Sequence, residues 1–369
     1  MKGVATFIIS MMAAGAIYAQ EVGRNDVLRI MKKVADWQIT DYDKKHSRDT
    51  NWENGALFVG MSHWAELAKR TCNDKRYYDW LLKIGKRNHW QPGPRMYHAD
   101  DITVTQTWLR LSEVFHEPSY AYPTIARLDF LVSHRSSSDL DFRKNQHDLF
   151  TRWSWCDALY MAPPAFIKLY TMTGKKKYLN FAHDEFRETV SYLYDKDEHL
   201  FFRDSRYFDK LEANGRKVFW GRGNGWVIAG LAEILKLLPE KNSQRKYYLH
   251  LFKEMSERLL GLQQEDGYWR ASLMDAASYP SPETSATGFI AYGLAYGVRS
   301  GILDKNLFLP AVMKGWNAIC RAVSPEGRLG YVQPIGGDPQ KVVAEMTQVY
   351  GCGAFLSLGC EVFLLQTHK

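Results

Sequence analysis

One carboxylate, Asp157, lies in the run Trp153-Ser154-Trp155-Cys156-Asp157-Ala158-Leu159-Tyr160-Met161-Ala162-Pro163-Pro164, among two Trp, one Tyr and one Met. An acid in such company is poorly solvated. Its charged form is disfavoured and its pKa rises, which suits a general acid near neutral pH. The aromatic neighbours suit a flat, weakly polar ligand such as a sugar ring. The structural alternative is that Asp157 caps a helix and the aromatics are core.

A second segment, Phe219-Trp220-Gly221-Arg222-Gly223-Asn224-Gly225-Trp226-Val227, holds three Gly in five residues. Gly is costly inside a helix, so the segment is expected to be a loop feeding the following helix. It offers Trp220, Arg222, Asn224 and Trp226, a combination that could stack on a sugar and fork onto its carboxylate. A tight helix entry with core Trp is the competing reading. A third segment, Tyr97-His98-Ala99-Asp100-Asp101-Ile102-Thr103-Val104, carries two adjacent acids. Both could cap a helix start. Alternatively one caps while the other faces Asp157, because paired carboxylates split acid and base roles. Trp52 and Arg203 are further lining candidates, and capping accounts for Ser281-Pro282-Glu283-Thr284-Ser285.

The elements that must position these groups are helical. Of 369 residues, 46% are hydrophobic and 14% aromatic, enough for a large core in a single closed barrel. Helical periodicity recurs near 24–40, 54–71, 75–89, 101–116, 119–134, 156–173, 175–194, 224–238, 243–262, 284–300, 304–322 and 350–366. Basic residues before a Tyr open three of these, at Tyr77, Tyr178 and Tyr247, each after a helix rich in small or apolar residues. About six helical hairpins closing as an (α/α)6 barrel are expected, with an open solenoid as competitor. A short β-hairpin is expected to pair 200–203 with 217–220 around Asn214-Gly215.

The net charge of +7 is spread out rather than blocked, which fits an acidic small substrate better than nucleic acid. Lys2, the apolar stretch Val4–Ile17 and Ala19 read as a signal peptide over 1–19 cleaved after Ala19, followed by one catalytic domain over 20–369. A periplasmic or secreted protein follows, with no membrane attachment after cleavage. Five widely spaced Cys make no disulfide framework, and no metal-ligand spacing or cofactor motif occurs.

Together the segments resemble the unsaturated rhamnogalacturonyl hydrolases of glycoside hydrolase family 105, relatives of the family 88 unsaturated glucuronyl hydrolases. The matching pieces are Trp155–Ala162, Trp220–Trp226, Ala99-Asp100-Asp101, Glu283–Gly288 and Tyr350–Leu356, in order along residues 24–366. The resemblance implies an all-α (α/α)6 barrel acting on a 4,5-unsaturated uronyl oligosaccharide left by a polysaccharide lyase. Asp157 matches the residue that protonates the vinyl ether at C4. Asp100 matches the second carboxylate, with Asp101 beside it as the alternative register. Trp155, Trp220, Arg222 and Trp226 match residues around the unsaturated ring. Arg203 stands where family members often carry His, which bears on the uronate carboxylate or the linked sugar. An ordinary inverting glycosidase and a non-catalytic sugar-binding protein are the competing functions.

Overall fold

The computed structural model describes residues 23–44, 48–144 and 150–366. The expected signal peptide lies outside the described residues. Thirteen α-helices occur among the described residues: α1 (Arg24–Tyr42), α2 (Trp52–Cys72), α3 (Arg76–Arg87), α4 (Thr103–Val114), α5 (Tyr122–Ser133), α6 (Ala158–Met161), α7 (Pro163–Thr173), α8 (Lys176–Leu193), α9 (Gly221–Leu237), α10 (Arg245–Leu260), α11 (Thr284–Arg299), α12 (Lys305–Arg321) and α13 (Val349–Leu365). The contacts between them close a ring: α2 packs on α4, α4 on α7, α7 on α9, α9 on α11, α11 on α13, and α13 back on α2. Helices α1, α3, α5, α8, α10 and α12 lie outside, each against an inner neighbour. This is the (α/α)6 barrel, and closure rules out the open solenoid. No described helix is long and apolar enough to cross a membrane.

Composition separates the two layers. The inner helices α11 and α13 are buried along almost their whole length. Glycines let these helices approach closely. A Cβ at Gly60 would lie 2.1 Å from the Gly353 carbonyl oxygen, and one at Gly230 would lie 2.4 Å from that of Leu159. The outer helices are amphipathic; α3 and α8 bury Tyr77 and Tyr178, whose hydroxyls donate to Asp36 and Asp129 of neighbouring outer helices.

Three expectations need correction. The 156–173 helix is two: α6 stops at Met161 and α7 restarts at Pro163, because Pro lacks the N–H to continue a helix and is favoured at a first turn. The Gly-rich segment is the first turn of α9 rather than a loop. A Cβ at Gly221 would come within 2.2 Å of the Arg270 carbonyl oxygen, so tight packing outweighs the propensity cost. The short β-hairpin exists with a different partner: β2 (Leu200–Phe201) pairs antiparallel with β1 (Tyr194–Asp195). The Asn214-Gly215 turn closes only an isolated bridge between Leu211 and Lys217, with Gly215 at φ 78°.

Candidate active site

The inner helices run parallel, so their N-termini gather at one end of the barrel. Trp52, Thr103, Gly221, Thr284 and Val349 each start an inner helix there, and the short α6 brings Asp157 to the same end. Converging helix N-termini create a positive local field that favours an anion.

Asp157 precedes α6 and makes no side-chain cap hydrogen bond, so the capping alternative fails. Its carboxylate is buried. The Cys156 thiol donates to Oδ2 at 3.4 Å, and Arg203 Nε stands 3.8 Å from the same oxygen. The Cys156 N–H donates to the Arg203 carbonyl at 2.9 Å, which pins the end of the β-hairpin beside the acid. From α4, the Gln106 side chain donates to the carbonyls of Tyr160 and Met161 and holds α6 in place. Burial raises the Asp157 pKa; Arg203 and Arg222 pull it back without cancelling the rise.

Asp100 lies in a single 3-10 turn, Ala99–Ile102, that packs on α6. Burial first, and then the charge of Asp157, push its pKa up to about 8. A neighbouring carboxylate that raises another in this way splits their titrations, so that Asp100 keeps its proton to higher pH than an isolated acid. Its neighbour differs. Asp101 accepts from the Arg95 backbone N–H at 2.6 Å and pairs with the Arg95 guanidinium at 2.7 Å. Its carboxylate is engaged in holding the 93–101 bend, whereas among the described residues no side-chain hydrogen bond to another residue engages that of Asp100.

His98 went unassigned on sequence, although it stands two residues before Asp100, where a polar side chain can accept a backbone N–H. Its Nδ1 does so from Asp100 at 3.2 Å, and its ring stacks on Phe150 and meets the edge of Trp155. Burial holds its pKa down to about 3, so the ring is neutral and does not quench the acid pair.

Arg203 shares its guanidinium: Nη1 pairs with the fully buried Asp204 at 2.6 Å, while Nε, buried and without a hydrogen-bond partner, faces Asp157. Arg222 departs from expectation. Its side chain is fully buried between the rings of Trp220 and Tyr350, and its Nη1 and Nη2 donate to the carbonyls of Gln333 (2.7 Å) and Pro334 (2.9 Å). That fork is therefore occupied by the chain itself. Asn224 is likewise spent: its amide bonds the N–H and carbonyl of Phe201 and the carbonyl of Trp220, fastening β2 to α9. Trp155, Trp220 and Trp226 are at most 2% exposed and act as packed walls rather than open stacking faces. Trp52 is partly exposed; it stacks on Tyr350 at 5.2 Å and meets the edge of Trp226. Among the described residues, no group of three or more His, Cys, Asp or Glu could hold a metal ion.

A family description built on Glycosyl Hydrolase Family 88 matches residues 30–366. The chain belongs to Glycosyl Hydrolase Family 88. Among its relatives is an unsaturated 3S-rhamnoglycuronyl hydrolase of Alteromonas sp. (strain LOR), 36% identical over 91% of this chain and 85% of that one. Two solved structures superpose closely. One, named polysaccharide lyase, is 31% identical with a TM-score of 0.84, over 94% of this chain and 99% of that one. The other is a family 88 glycosyl hydrolase from Bacteroides vulgatus, 29% identical with a TM-score of 0.82, over 92% and 99%. Family 88 membership makes the protein a glycoside hydrolase.

Proposed function

We propose that this family 88 hydrolase removes a 4,5-unsaturated uronate from the non-reducing end of oligosaccharides produced by polysaccharide lyases. The observation that carries the reading is the pair Asp100, half-buried, and Asp157, buried: both carboxyls are pushed up, and Arg203 stands beside Asp157 with an unpartnered Nε. The Alteromonas relative, whose name specifies an unsaturated glycuronyl substrate, supports it.

In this reading the uronate carboxylate docks toward Arg203, within the positive field of the helix N-termini. Its negative charge offsets Arg203 and raises the Asp157 pKa, so the shared proton shifts from Asp100 onto Asp157. Asp157 gives that proton to C4 of the vinyl ether. Water adds at C5 and returns its proton to the carboxylate pair. The resulting hemiketal opens and releases the linked sugar. Atoms balance with one water consumed and no net proton. Trp52 offers a partly exposed ring at the mouth. The protein is proposed to be exported, with residues 1–19 removed after Ala19; N-terminal sequencing of the exported protein tests this, and an intact Met1 on a cytoplasmic protein contradicts it.

The test follows the ultraviolet absorbance of the conjugated double bond with lyase-generated disaccharides and their saturated counterparts. Hydrolysis makes the absorbance of the unsaturated set fall and leaves the saturated set intact. A rise on a longer uronate chain would indicate a lyase, and cleavage of saturated disaccharides an ordinary inverting glycosidase.

A further inference from the structure

The connection between α12 and α13 contains no regular structure from 331 to 348, yet Gln333 within it is fully buried. Loops seldom bury polar side chains unless every group is satisfied, and here each is. The Gln333 Oε1 accepts from Trp220 Nε1 at 3.2 Å, and its Nε2 donates to the Asp338 carbonyl at 2.9 Å. Its backbone N–H donates to Glu283 Oε1 at 3.1 Å. Its carbonyl accepts from Arg222 and from the Tyr350 hydroxyl. One residue is thus gripped from α9, from the N-cap of α11 and from α13.

The carboxamide does more than anchor. Its bond to Asp338 closes residues 333–338 into a turn. The far side of that turn meets the acid pair's cation: a Cβ at Gly337 would sit 3.4 Å from Arg203 Nε, the atom that faces Asp157. The outer side of the turn presents Ile335, an apolar side chain 54% exposed. The turn therefore rests on Arg203 and carries the exposed Ile335 beside it.

We infer that Gln333 is a positioning residue that locks the 333–338 turn as the wall admitting the sugar linked to the uronate; this rests on the proposed function. Arg203 is also held independently, by Asp204 and by its backbone bond to Cys156. Loosening the turn therefore costs binding, because the wall must be ordered by substrate, and largely spares the proton transfer. Gln333→Leu removes both carboxamide bonds. Gln333→Glu keeps an acceptor for Trp220 but loses the donor to Asp338, and isolates the closure of the turn. Gly337→Ala places a methyl against Arg203 without touching the buried anchor.

The experiment combines hydrogen exchange by mass spectrometry with KM and kcat on an unsaturated disaccharide that the wild type cleaves. Gln333→Leu and Gln333→Glu are expected to speed exchange over 332–346, where the Val332, Gln333 and Met346 amides are hydrogen-bonded, while α11 and α13 stay protected. KM should rise about tenfold or more, with kcat within about threefold. Gly337→Ala should raise KM in the same direction without changing exchange. Unchanged exchange over 332–346 overturns the lock. Faster exchange with unchanged KM overturns the wall's role, as does a fall in kcat at constant KM. A wild type inert toward every unsaturated disaccharide overturns the functional reading and the sugar-facing half of the inference, while exchange still decides the lock.

Discussion

At the mouth of the barrel, the half-buried Asp100 and the buried Asp157 have less positive charge than they need, and both titrate upward. At the opposite end, where the inner helices finish, Glu361 is buried more deeply and titrates the other way. Burial raises it, but Lys236 at 2.7 Å and Arg299 outweigh burial and hold it below the usual carboxylate range. Nearby, Glu233 accepts from the Tyr292 hydroxyl, and burial drives His63, 3.1 Å from the Ser357 hydroxyl, well below its ordinary value. Cations near helix C-termini also suit the dipoles there. The two ends share a backbone architecture and differ in whether charge is balanced. Balanced charge holds Glu361 ionised; the unbalanced pair is pushed toward its protonated form.

Breaking each end separately sharpens the contrast. Asp157→Asn preserves shape and removes the proton. It is expected to cut kcat by about 10²–10⁴-fold with no loss of melting temperature. Near-normal turnover by the folded variant would contradict the assignment. Glu361→Gln leaves Lys236 and Arg299 buried without their anion, and should cost about 3–5 kcal/mol in denaturant unfolding while kcat of the folded enzyme barely moves. The sign of the pH dependence follows from the depressed pKa. Glu361 contributes stability above its unfolded pKa, near the ordinary glutamate value of 4.5, and loses it as pH falls through the lower folded value. The Glu361→Gln deficit should therefore shrink in acid.

Asp100→Asn should do the reverse. Because the folded pKa of Asp100 is raised to about 8 from 3.8, its penalty is absent below the unfolded pKa and grows as pH climbs toward the folded one. The variant is expected to melt at least about 2 °C higher than wild type near the top of that window and to match it near the bottom; a lower melting temperature throughout would show a structural role. The smallest effect is at Cys156. Its thiol is a weak donor to the ionised form of Asp157, so Cys156→Ala should raise the acidic limb of the kcat/KM profile by on the order of half a unit. A limb that moves down would remove the thiol from the account.

The barrel was legible in the sequence because helical periodicity and its stop signals are local properties of the chain. Where the reading slipped, a distant contact overrode a local rule. Gly221, Gly223 and Gly225 read as loop by propensity, yet α9 starts on them because a side chain would strike Arg270, Trp220 or Phe289. The Leu200–Phe201 strand was visible; its partner at Tyr194–Asp195 was not, since Asn214-Gly215 offered a stronger turn signal than Lys196-Asp197-Glu198-His199. In the site, Asp157 stood out because its neighbours in sequence are also its neighbours in space. Asp100 and Asp101 look alike along the chain, and only Arg95, six residues from Asp101, separates the anchored acid from the unpaired one. Arg222 and Asn224 carried the chemistry of substrate ligands, but their partners at Gln333 and Phe201 lie 111 and 23 residues away. Gln333 gave no signal at all, because an isolated amide in an irregular loop has no pattern to betray it.

The central claim is that the unbalanced pair at the mouth stores the proton used in the reaction. The pH dependence of kcat/KM, which reports the free enzyme, tests this most directly, measured on an unsaturated disaccharide with wild type and Asp100→Asn side by side. The account predicts that wild-type kcat/KM falls on the alkaline side with a midpoint near the Asp100 value of about 8, and that this limb disappears or moves in Asp100→Asn. A wild-type profile that stays flat across that value, or an alkaline limb unchanged by the substitution, would contradict it.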